Sequence, residues 1–278
     1  MSNLESHRPP AVADRFYPGE PGALRRELER CLDRDVRPVP ARMILAPHAG
    51  YVYSGALAGK TWSQVHVPDR VILLCPNHTG RGARRSIWPG GAWDTPAGPV
   101  PIAADLTDAL IRHAGLQPDT AAHLREHAIE VHLPFLRARN PQAEIAAVCL
   151  GGLDFAECQV VGVGVAAAIR ELEAGNPDAA PRVLLAASSD MSHYIRADEA
   201  AALDHLALDR LLALDPAGLH ETVRRHQISM CGILPATVAL VAALELGARR
   251  AELVGYTHSG QVTGDTERVV AYAGAVVQ

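Results

Sequence analysis

The 278-residue sequence predicts an α/β fold, a single domain spanning 1–278 with a central, mostly parallel or mixed sheet flanked by helices. Three observations carry this expectation. Short apolar runs begin at Met43, Val71, Glu144 and Val183 and are ended by Pro, Gly, Ser or Asn, as strands buried on both faces are. Segments with helical spacing lie between them, which is the strand, helix, strand pattern of a parallel sheet. No linker and no repeat of fixed period divides the chain.

The elements follow in order. Arg8 to Pro18 mixes Pro, aromatic and charged residues without period and reads as an irregular segment against the body. From Gly19 to Leu32, Pro21 suits a first helical turn, and Leu24, Leu28 and Leu32 recur at i, i+4 and i+8. The run from Met43 stops at His48, and Ser54 can cap a helix to Val65 that packs Ala56, Leu57, Ala58 and Trp62. Val71 to Leu74 leads through Cys75-Pro76-Asn77 to His78. Thr79 to Pro101, with its many Gly, Pro and Arg residues, reads as an excursion walling one side of a crevice. Ile102 to Ala114 and Glu126 to Arg137 read as helices, and Glu144 to Leu150 as a strand. Ala156 to Ala174 is a helix broken by Gly175-Asn176-Pro177. Val183 to Ala187 leads through Ser188-Ser189 to Asp190 and His193, and helices follow at Ala197 to Leu214 and Gly232 to Leu246. Leu253 to Thr257 and Val269 to Val277 supply closing strands.

Composition narrows the function. Lys+Arg 26 against Asp+Glu 31 gives a net charge of −5, and no run of five or more like charges marks a nucleic-acid or membrane surface. The start lacks the pattern of a signal peptide, and no apolar window reaches the roughly 18 residues of a spanning helix, so a cytoplasmic protein acting on something small is expected. The five cysteines form no close-spaced pair and are expected to be reduced.

Matched strand ends in such a sheet share a crevice, so His48, His78, Asp190 and His193 are expected to meet there. Imidazole is the commonest side-chain metal ligand. Taken singly, each histidine is more readily a buried or capping one satisfied by a backbone carbonyl; placement on matched strand ends raises both together. Cys231 precedes an apolar helix whose N-terminus would stabilise a thiolate and complete a His/His/Cys set, although a small core residue is the commoner role. Asp190 and His193 offer an acid and a base three positions apart. In Glu126-His127-Ala128-Ile129-Glu130-Val131-His132, a helix would put His127 and Glu130 on one face and turn His132 away, in neither order of a zinc-protease motif. No Gly-x-Ser-x-Gly elbow is present, and Gly162 and Gly164 do not continue into a dinucleotide fingerprint.

Together these motifs resemble the Memo family, whose microbial members are called AmmeMemoRadiSam system protein B. The resemblance runs from Phe16-Tyr17-Pro18 through Pro47 to Gly55, Pro76-Asn77-His78, Glu126 to Pro134 and Ser188 to Tyr194 to Cys231-Gly232. It implies a fold similar to the LigB-type class III extradiol dioxygenases, which hold non-haem Fe(II) with two histidines and a glutamate beside a catalytic histidine. His48 and His78 match the histidine ligands, Cys231 falls where the carboxylate would be, and that softer ligand opens copper and zinc as alternatives to iron. His193 looks like the acid/base histidine with Asp190 its neighbour, and His127, Glu130 and Tyr51 are expected against substrate or behind the ligands. The implied function is a metal-binding, dioxygenase-like redox enzyme acting on a small molecule. The alternatives are a zinc-dependent hydrolase and a non-catalytic site for a peptide or phosphopeptide tail, the latter using Arg81, Arg84 and Arg85.

Overall fold

The protein's architecture comes from a computed structural model that describes residues 7–174 and 181–278. The expected break at Gly175-Asn176-Pro177 lies outside the described residues. The chain opens with β1 (His7–Arg8), α1 (Pro21–Cys31) and β2 (Met43–Ala46), and a π-turn over Tyr51–Gly55 runs into α2 (Ala56–Ser63). There follow β3 (Arg70–Pro76), β4 (Arg85–Ile87), β5 (Ala92–Trp93), β6 (Val100–Pro101), α3 (Ala104–Ala114) and β7 (Gln117–Pro118). Next come α4 (Leu133–Arg139), β8 (Glu144–Leu150), α5 (Phe155–Glu173), β9 (Val183–Ser188) and β10 (Asp190–Ile195). The remainder is α6 (Ala197–Leu212), α7 (Pro216–Arg225), α8 (Ile233–Glu245), β11 (Ala251–His258), α9 (Gly260–Thr263) and β12 (Val269–Val277).

The expected α/β fold is present, and its nine-stranded sheet is mixed. β2, β9, β3 and β8 lie side by side and parallel, in that order. Antiparallel strands flank them: β4 beside β8, and β12 beside β2. Alternation along each strand sends neighbouring residues to opposite faces. Thus Met43 and Leu45 join the core under α3, α5 and α8, whereas Ile44 joins the core that holds Leu24, Trp62 and Phe135. Because the buried strands present both faces to helices, they read as unbroken apolar runs.

Several elements depart from the sequence expectation, among them the start of α2, where Ser54 is no cap and its hydroxyl donates to the Ala49 carbonyl. The stretch from Glu126 is not helical; a 3₁₀ turn at Glu130–His132 leads into α4 only at Leu133. The Glu126 carboxylate takes the backbone N–H groups of His127 and Ala128, and Pro134 cannot extend a helix backward past Glu130. β10 carries bulges against β12, with Tyr194 at φ 61°, so its pattern does not alternate cleanly. Helix α7 starts with Pro216 behind an Asp215 cap that accepts from the Gly218 N–H, a start signal the sequence expectation does not include.

Candidate metal centre

In the strand order β2, β9, β3, the carboxyl ends of three parallel neighbours open on one edge. β2 delivers His48, β3 delivers His78, and β9 between them delivers Ser188 and, two residues past its end, Asp190. The rings of His48 and His78 stand 5.2 Å apart, and His127 comes in from the turn before α4, 4.9 Å from His78 and 5.4 Å from His48. One ring nitrogen from each of the three lies within 4.8 Å of the others, which makes His48, His78 and His127 a possible metal-binding group. They line a cleft of about 670 Å³, with Asp190, His193 and Tyr194 on its wall.

Each strand-end imidazole is held from behind. His78 Nδ1 donates to Glu126 Oε1 at 2.9 Å, and its backbone N–H to Oε2 at 2.8 Å, which leaves Nε2 for the cleft. Burial opposes charge on His78, and the Glu126 carboxylate outweighs it, so its pKa is raised. Glu126 itself, fully buried, is held low by His78 against the opposing effect of burial. His48 Nδ1 lies 2.7 Å from Ser188 Oγ; burial, then the neighbouring histidines, holds this ring neutral well below the usual imidazole range. His127 is pushed down to about 4, chiefly by burial.

Cys231 sits just before α8, its sulfur 3.3 Å from His48 Nε2 and 3.2 Å from the Asp190 backbone N–H. Burial, then Asp190, raises its thiol well above the ordinary range, so the surroundings do not favour the thiolate expected from a helix N-terminus. Two donors on one ion, with bonds near 2.0–2.1 Å to nitrogen and 2.3 Å to sulfur at a tetrahedral angle, stand roughly 3.5 Å apart. The sulfur and Nε2 of His48 are spaced that way, but Cys231 stands outside the group whose donor atoms all lie within 4.8 Å of one another, which is His48, His78 and His127. Asp190 is engaged with His48 rather than with His193: its Oδ1 accepts from the His48 backbone N–H at 2.8 Å, and its Oδ2 lies 3.9 Å from His48 Nε2. Burial pushes this carboxyl up to about 7. His193 is oriented by Ser229, whose carbonyl accepts from Nδ1 at 2.9 Å.

Two expected site residues lie elsewhere. Glu130 faces the N-terminal segment, where Arg8, Tyr17 and the backbone N–H groups of Ala11 and Val12 donate to it. Tyr51 is buried against Phe135 and donates to the Val131 carbonyl at 2.7 Å. Arg84 and Arg85 are both paired to Glu157 on the surface. Glu126, Ser188 and His132 are the residues the sequence reading missed. Glu126 had a visible signal, a carboxylate adjoining His127; the other two are set by tertiary contact alone.

A family model described as Memo-like protein matches residues 8–276. The chain belongs to the Memo-like family. Relatives described as MEMO1 family proteins share 38% identity in Methanothermobacter thermautotrophicus, over 96% of this chain and 98% of that one. In Methanopyrus kandleri the identity is 37%, over 97% and 98%, and in Aquifex aeolicus 35%, over 97% and 98%. The Memo-like match thus covers all of the elements that build the cleft.

Proposed function

We propose that this protein is a metal-dependent enzyme acting on a small molecule, with a single non-haem iron ion held by His48, His78 and Cys231 and with His127 alongside. What carries the reading is the convergence of two strand-end imidazoles whose Nδ1 atoms are already engaged, so that Nε2 of each is offered to the cleft. Imidazole and thiolate donors suit iron, copper and zinc rather than magnesium or calcium. The bound ion would supply redox chemistry with O2 on an organic substrate. Around it the protein's own groups do the rest. His193, neutral because burial lowers its pKa, takes or returns a proton at Nε2. Asp190, poised near neutrality, holds a proton at Oδ2 beside His48. The cleft, about 670 Å³, is of a size to take a small organic molecule and shed most of its water.

Anaerobic reconstitution with Fe(II) of protein lacking a His-tag, followed by metal analysis and O2 uptake, tests this. Wild type and His127→Ala are expected to hold iron, and His48→Ala and Cys231→Ser to lose it. Iron retained by Cys231→Ser and lost by His127→Ala would move the third ligand to His127. Equal and negligible metal in every form defeats the reading. The His/Cys spacing also fits zinc, which would lower the pKa of a bound water to roughly 7 for hydrolysis. A colourless protein without O2 uptake but with esterase activity selects that alternative.

A further inference from the structure

His48 ends a buried chain of four hydrogen-bonding side chains whose proton positions can be worked out. Trp62 Nε1 has only a hydrogen to give, and it lies 3.3 Å from His132 Nδ1. Nδ1 of His132 is therefore the acceptor, and the single proton of this ring, whose pKa burial pushes down to about 3, sits on Nε2. That Nε2 lies 2.9 Å from Ser188 Oγ and donates to it. Ser188 has one hydrogen, and the Ala128 carbonyl, which can only accept, lies 2.7 Å away. The hydroxyl hydrogen is thus committed, and both remaining sites on Oγ are lone pairs. One receives His132. The other, 2.7 Å from His48 Nδ1, receives a proton from that atom. Any other assignment sets two hydrogens or two lone pairs face to face somewhere along the chain, in a region where Trp62, His132, Ser188 and His48 are all almost fully buried.

We propose that Ser188, His132 and Trp62 are positioning residues that lock His48 in its Nδ1–H tautomer and so keep a lone pair on Nε2, facing Cys231 and the cleft. The proposal rests on the metal reading above for its purpose but not for its geometry. It gives the two strand-end histidines different backing. His78 leans on a carboxylate, whereas His48 leans on a neutral relay that ends at an indole on α2, so orientation is fixed without burying a second charge. Ala128 ties the two together, its N–H on Glu126 and its carbonyl on Ser188.

The test is long-range ¹H–¹⁵N NMR of the metal-free protein at neutral pH, which reads the tautomer of each histidine directly. Wild type is expected to show His48 protonated on Nδ1 alone and His132 on Nε2 alone; His48 protonated on Nε2 overturns the proposal with no variant needed. Ser188→Ala removes the shared acceptor and is expected to give His48 a mixed tautomer population, with Fe(II) bound roughly 10- to 100-fold more weakly. Ser188→Thr, which keeps the hydroxyl, is expected to restore both. Trp62→Phe, which removes only the far donor, is expected to release His132 and broaden the His48 signal. An unchanged His48 tautomer in both Ser188→Ala and Trp62→Phe sinks the lock. If wild type shows the expected tautomers yet binds no metal, the metal reading fails and the relay stands.

Discussion

Glu130 shows how one residue's surroundings overrule its motif. It lies fully buried and takes four hydrogen bonds, from Arg8 at 2.7 Å, Ala11 at 2.8 Å, Val12 at 2.9 Å and the Tyr17 hydroxyl at 2.7 Å. Each partner belongs to the irregular N-terminal segment, so the carboxylate fastens that segment to the body. Removing one member of such a buried pair leaves the other charge without compensation. Glu130→Ala is expected to lower unfolding stability by about 3–5 kcal/mol in denaturant titrations, with no direct change at His78. A loss below about 1 kcal/mol would mean the fastening is dispensable. From sequence, Glu130 and His127 look alike because helical spacing puts them on one side. Glu126 breaks that helix by capturing the following N–H groups, and the two residues then part.

At the scale of elements, the approach of α8 to the end of β9 sets where Cys231 can be. Gly232 allows it, since a Cβ there would stand 2.3 Å from the Ser188 carbonyl oxygen and 2.4 Å from Ser189 Cβ. Its N–H also donates to Ser189 Oγ at 3.0 Å. Gly232→Ala is expected to push the start of α8 outward, costing about 1–3 kcal/mol by overpacking and weakening Fe(II) binding along with it. A thermal melt and a metal titration check both; full metal affinity in a destabilised protein would separate Cys231 from the site. The strands β2, β3, β8 and β9 were legible because burial on both faces leaves an uninterrupted apolar signature. Strand β10 was not, because its bulges and the left-handed Tyr194 break the alternation on which such a reading depends.

Across the whole molecule, burial of neutral histidines couples stability to acid. His123 is pushed down to about 3 by burial and by Arg8, and its Nδ1 has no hydrogen-bond partner among the described residues, so a proton added there would be stranded. His132 is likewise pushed to about 3. Unfolded, both rings titrate near pH 6.5, so below that pH the unfolded chain binds protons that the native one refuses. Their contribution is complete above pH 6.5 and is lost as pH falls toward 3, at up to about 1.4 kcal/mol per pH unit for each ring. His123→Gln, which can keep the hydrogen bond to Ser86, is expected to flatten the stability profile between pH 6 and 4 by roughly that amount; an unchanged slope would show that His123 charges freely in the fold. The overall architecture and the His48/His78 edge were readable because parallel strands put equivalent loops together. The backing of those histidines was not, since Ser188 and His132 are 56 residues apart and only packing joins them.

The middle strand of the three whose ends frame the cleft is also the last of them to be synthesised. β9 lies between β2 and β3, which precede it in the chain by more than a hundred residues, so a nascent polypeptide emerging from the ribosome has no way to close that edge until residue 188 is out. Cys231, 183 residues after His48, arrives later still. The proposed ligand set is therefore complete only once Cys231 has been made, and a chain ended before that residue would lack the sulfur.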